Sequence, residues 1–223
     1  MNKEVNLNLY NVIIEFCKVY VTELIMADVQ IAQPIIGSTL PIDEIKLQSA
    51  IKRRTIYLTE AIDSDSVFKT IYFLDRIRDI DERNEEKELK PITIRLNTPG
   101  GFVNEGFALM GRIQEMQKIG YKFTIIAEGL VASMGIPILL MGDERVCHKY
   151  DRFMIHSIAG GAIGKIDDIK AMFKDMDECQ EMFLQIYDEY AKIPKSEIES
   201  HKYIDWFFGS DIALEYAIVN RII

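Results

Sequence analysis

The chain has 223 residues, 48% of them hydrophobic, and a formal net charge of −9. That is enough apolar material for the core of one large domain, or of one domain with an extension. The acidic balance argues against nucleic acid or an anionic membrane surface as a main partner, since both attract basic patches. Cys17, Cys147 and Cys179 form no C-x-x-C pair and fit reduced thiols in a cytoplasmic compartment.

Residues 1–33 read as a separable N-terminal extension. Leu9, Val12, Ile13, Phe16, Val19, Tyr20 and Leu24 recur at helical spacing. Asn11, Glu15, Lys18 and Glu23 interrupt that stretch, so it is neither a membrane span nor a signal peptide. Gln33-Pro34-Ile35-Ile36-Gly37 is a linker, and 34–223 is the main domain.

Within that domain the pattern predicts a helix over 42–52 and a strand over 55–58. Asp63 or Ser64 caps a helix that faces inward with Val67, Ile71, Leu74 and Ile77. The charged run 79–88 reads as a solvated helix end and loop. A strand over 92–96 ends in Asn97-Thr98-Pro99-Gly100-Gly101 and precedes a helix over 103–119. Another strand, 122–128, leads to Ser133 and an apolar helix over 134–141. Short β-type runs follow at 145–148 and 152–155, with His148 in a hairpin turn and His156 at the end of the second. A glycine-rich segment, 159–164, opens a long helix over 166–192, which Pro194 ends. Ile169, Met172, Phe173, Met176, Met182, Phe183, Ile186 and Tyr190 give that helix one broad face for core or subunit contact. A short helix over 196–201, an aromatic run holding Asp205, and a last helix capped by Ser210 complete the chain. Alternating strands and helices imply an α/β core with parallel strands.

Ser133 stands between a strand and a helix. Backbone N–H groups there could hold the oxyanion that forms after nucleophilic attack, although a plain N-cap is the simpler role. His156 follows a buried strand and is the histidine best placed to act as a base near neutral pH. The Gly100-Gly101 turn and the Met134 N–H could converge on one oxygen. Asp205 stands among aromatics, where a buried carboxylate needs a donor such as a histidine N–H. No metal-ligand spacing, phosphate loop or G-x-G-x-x-G occurs, so neither metal nor cofactor is expected. Val131-Ala132-Ser133-Met134-Gly135 lacks the first glycine of a G-x-S-x-G elbow, which argues against an α/β-hydrolase.

Three stretches in register resemble the proteolytic subunit of the Clp protease, the ClpP family (peptidase family S14). They are Asn97-Thr98-Pro99-Gly100-Gly101, Ala132-Ser133-Met134-Gly135 and Met154-Ile155-His156. The similarity extends over about residues 35–221. It implies a crotonase-like α/β fold built from β-turn-α units with a protruding handle helix. It also implies Ser133 as nucleophile, His156 as base, Asp205 as orienting acid, and Gly101 and Met134 as oxyanion donors. Gly160-Gly161 would pair with an extended peptide. The implied assembly is a homo-oligomer of two heptameric rings, a tetradecamer acting on unfolded polypeptides fed by a AAA+ Clp unfoldase. The chain departs from the family pattern at Trp206 (usually Arg), Ile158 (usually Pro) and Ala217 (usually Gly).

Two other readings share much of this. A crotonase-like acyl-CoA enzyme would need no serine nucleophile, and an inactive paralogue would only fill ring positions. A Ser-Lys dyad using Lys149 or Lys165 is a minor variant.

Overall fold

The computed structural model describes residues 41–85 and 88–223. The extension over 1–33 lies outside the described residues. Among the described residues fourteen elements follow one another: α1 (Ile42–Arg53), β1 (Thr55–Leu58), α2 (Ser64–Arg83), β2 (Ile92–Thr98), α3 (Val103–Lys118), β3 (Phe123–Ala132), α4 (Gly135–Leu140), β4 (Glu144–Cys147), β5 (Arg152–Ile155), α5 (Ile166–Tyr190), α6 (Lys195–Ser200), β6 (Trp206–Gly209), α7 (Ser210–Glu215) and β7 (Arg221–Ile222).

The strands form one sheet in the order β1-β2-β3-β4-β7, all parallel, with β5 and β6 leaving the path. Along β1, β2 and β3 buried residues alternate with half-buried or exposed ones, so one face of the sheet carries the core. Ile92, Ile94, Leu96, Phe123, Ile125 and Ala127 are fully buried, and α2, α3 and α4 supply Leu74, Ile77, Leu109, Ile113, Ile136 and Leu139 to the same core. Asp63 caps α2 by accepting from Ser66 N–H at 2.9 Å, while Ser66 Oγ accepts from Asp63 N–H at 3.0 Å, a reciprocal capping box.

β3 is longer than its sequence run because it serves two partners. Its first half pairs with β4 (Thr124↔Glu144 to Ile126↔Val146) and its second half with β5 (Leu130↔Arg152 to Ala132↔Met154). At this fork the backbone loses its ladder, and Asp151, buried, takes over. Its carboxylate accepts from Gly129 N–H and from His148 N–H, each at 2.7 Å. The expected β4–β5 hairpin around His148 therefore does not form: the two strands are parallel neighbours of different parts of β3. β6 returns antiparallel to β5, with Ile155 opposite Trp206.

Ser210 is the first residue of α7 rather than its cap; its hydroxyl donates to Lys149 O at 2.9 Å. Of the charged run, residues 79–85 are only partly solvated. Asp81 is buried and accepts from Arg54 Nη1 and from Tyr121 O–H, all at 2.9 Å. Burial and the Asp81 carboxylate both raise the Tyr121 hydroxyl above its ordinary range. Along α5 only Phe183 and Tyr187 are buried, with Phe183 tilted against Phe107 at 5.9 Å. Met172, Phe173 and Met182 of the predicted apolar face are exposed.

Candidate active site

Three parallel strands end side by side. Thr98 at the end of β2 lies opposite Val131, and Ala132 at the end of β3 lies opposite Met154 of β5. The chain beyond each end carries the residues in question: Gly100-Gly101, Ser133-Met134 and His156. Carboxyl ends of parallel strands are the ordinary place for a site in an open α/β sheet.

Ser133 occupies a turn between β3 and α4 with φ of 52°. A left-handed conformation costs a non-glycine residue about 1–2 kcal/mol, and the surroundings impose it. Ser133 N–H donates to Met154 O at 2.9 Å and Ile136 N–H donates to Ser133 O at 3.0 Å. The Gly100 backbone is so close that a methyl group there would lie 2.5 Å from Ser133 Cβ. The hydroxyl does not cap α4. It lies 2.8 Å from His156 Nε2, so the N-cap role gives way to a serine–imidazole pair.

Gly101 bridges to Ile62 in parallel fashion: Ile62 N–H donates to Gly100 O at 2.9 Å and Phe102 N–H donates to Ile62 O at 2.8 Å. That alternation turns the N–H of Gly101 itself away from Ile62. Among the described residues, neither Gly101 N–H nor Met134 N–H donates to a backbone carbonyl.

The antiparallel β5–β6 pair sets Asp205, just before Trp206, beside His156. Asp205 Oδ1 lies 3.7 Å from His156 Nδ1, an ion-pair distance outside hydrogen-bond range. The Asp205 side chain is 57% exposed against 26% for His156. At that exposure the carboxylate does not depend on a histidine donor for its solvation, and the aromatic neighbours turn elsewhere. Trp206 stacks on His201 at 4.6 Å and tilts against Phe208, while Tyr203 and Ile204 are exposed.

The other histidines are structural. His148 Nδ1 faces Ala127 O at 3.2 Å and Asp151 at 3.3 Å, and His201 Nδ1 faces Glu197 O at 2.8 Å. Lys149 lies over the Tyr150 ring and Lys165 precedes α5. Gly160 and Gly161 lie in an exposed stretch with no strand of its own. Sequence patterns gave no sign of Ser157 and Gln180, which bond the residues after His156; isolated polar contacts carry no period. Among the described residues there is no cluster of three or more potential metal ligands and no helix long and apolar enough to cross a membrane.

A serine thus stands against an imidazole at the ends of parallel strands, on a crotonase-like α/β fold. The family model described as Clp protease matches residues 37–223, and the chain belongs to that family; its function is that of a ClpP-type protease. It is similar to the ATP-dependent Clp protease proteolytic subunit 2 of Parasynechococcus marenigrum, at 29% identity over 78% of this chain and 84% of that one. A subunit of the same name from Thermobifida fusca is 26% identical over 82% and 87% of the two chains. The proteolytic subunit of Deinococcus radiodurans is 27% identical over 65% and 69%.

Proposed function

We propose that the chain is a serine endopeptidase in which Ser133 attacks the peptide carbonyl. His156 Nε2 takes the hydroxyl proton as the Oγ–C bond forms, and later gives it to the departing amine. Gly101 and Met134 N–H groups hold the oxyanion, and Asp205 orients the imidazole through Nδ1. Water then hydrolyses the acyl-enzyme by the same route in reverse. The exposed Gly160-Gly161 backbone offers N–H and C=O groups to an extended peptide as an added strand. One observation carries this reading: the 2.8 Å contact between Ser133 Oγ and His156 Nε2. The same contact weighs against a crotonase-like acyl-CoA enzyme, which would need no such pair, and against a lysine base.

We further infer that residues 34–223 form the peptidase domain, in the cytoplasm, and assemble as two heptameric rings. The exposed Ile166, Met172 and Phe173 of α5 are apolar material for contact between subunits. The relatives' names make a Clp ATPase the natural source of unfolded substrate.

The test is labelling by a fluorophosphonate probe together with the native particle mass. Wild type is expected to label and Ser133→Ala not to. A wild-type protein that stays unlabelled in its assembled form overturns the reading.

A further inference from the structure

His156 is weakly held by its own side chain. Its ring touches Ser133 at 2.8 Å, and its other nitrogen stands 3.7 Å from an exposed carboxylate. β5 ends at Ile155, so no ladder bond fixes the backbone that follows. Two other bonds do. Ser157 Oγ donates to Lys202 O at 2.7 Å, three residues before Asp205. Ile158 N–H donates to Gln180 Oε1 on α5 at 2.8 Å.

Gln180 sits where α5 leaves the body of the domain. Phe183 and Tyr187, on the same face further along, are buried, whereas 166–175 is exposed apart from half-buried Ile169. One turn before Gln180, Met176 lies beside exposed Gly160: a methyl group there would meet its Cε at 2.8 Å. Met176 and Gln180 thus both meet the stretch that follows His156, at Gly160 and at Ile158. A methionine would fill the place of Gln180 equally well, so the amide's distinct contribution is an acceptor for one N–H. A proline at 158, the usual family residue, would have no N–H to give.

We propose that Gln180 is a positioning residue for the reaction: through Ile158 N–H it sets the placement of His156 against Ser133. This rests on reading Ser133 and His156 as nucleophile and base.

The test is the rate at which a fluorophosphonate inactivates the full chain, followed across pH. Gln180→Met removes the acceptor at constant length and is expected to slow inactivation about fivefold, the scale of one hydrogen bond. Gln180→Glu keeps an acceptor oxygen and is expected to restore the rate to within about twofold, a rescue that generic packing would not give. Ile158→Pro removes the donor while leaving α5 untouched, so it carries the test even if Gln180→Met fails to fold. The double variant should be no slower than either single one. Gln180→Met reacting at the wild-type rate, Gln180→Glu as slow as Gln180→Met, or losses that multiply in the double variant would each overturn the proposal. Wild type reacting no faster than His156→Ala would instead sink the underlying nucleophile–base assignment, whatever Gln180 does.

Discussion

His156 Nδ1 stands 3.7 Å from Asp205 Oδ1, nearly an ångström further than its Nε2 stands from Ser133 Oγ. The carboxylate is more than half exposed, so water screens its charge. An exposed ion pair contributes about 1 kcal/mol or less, which is at most about fivefold in rate. Asp205→Asn is therefore expected to slow fluorophosphonate labelling by no more than about fivefold. His156→Ala is expected to cost about a thousandfold or more, as loss of the base does in Ser-His-Asp sites. Rate constants for the two variants on intact protein check this; equal losses would mean that Asp205 closes onto the imidazole during the reaction.

Gly101 cannot carry a side chain. An added Cβ would lie 2.2 Å from Ile62 O, and φ is 156°. Gly101→Ala is expected to destabilise by about 2–3 kcal/mol through forced backbone displacement. It should also abolish labelling, since Gly100 packs directly on Ser133. Gly161→Ala is the control: open space surrounds that position, and its stability should stay within about 0.5 kcal/mol of wild type. Denaturant unfolding of both variants decides the matter.

Ala217 stands in a left-handed conformation, φ 53°. α7 ends in a Schellman motif: Ile218 N–H donates to Ala213 O at 2.8 Å and Ala217 N–H to Leu214 O at 3.0 Å. Glycine suits this place, because it alone has no Cβ to crowd the carbonyl. Ala217→Gly is expected to stabilise the fold by about 0.5–1 kcal/mol, the strain relieved exceeding the added chain entropy. A fall in melting temperature would contradict this.

Asp143 gathers three donors at one carboxylate. It accepts from Lys122 Nζ at 2.7 Å, Phe123 N–H at 2.9 Å and Gln117 Nε2 at 3.0 Å. Burial pushes this carboxyl up, but the three donors outweigh it and hold the group below its ordinary value of 3.8. A lowered folded value means that the stabilisation is complete above 3.8 and fades as pH falls through the folded value. Asp143→Asn is expected to cost about 1–2 kcal/mol at neutral pH. It should also cost progressively less toward acid, so the wild-type and variant stability curves converge below pH 3.8. Thermal unfolding across pH measures both.

Much of the layout was legible in the sequence because strands and amphipathic helices repeat. Thr55–Leu58 and Arg152–Ile155 appear where the β-type runs stand, and the three motifs carrying Gly101, Ser133 and His156 end up adjacent. Single contacts between distant residues were not legible. Asp81 sits in a run of charges whose pattern says solvent, yet Arg54 and Tyr121 bury it. Asp205 sits among aromatics whose pattern says core, yet Trp206 and Phe208 turn inward and leave the carboxylate outside. The extent of β3 depended on partners at either side of a fork, which no local run encodes.

That fork fixes the length of the chain between Ile126 and Leu130. β3 already shifts register here, taking four steps from Ala127 to Val131 against two from Leu96 to Thr98 on β2, so its second half is placed by its partners and not by unbroken alternation. Indels here could keep the β4 side in register or the β5 side, not both. A change of length should therefore be tolerated better in the surface loops than between these two ladders.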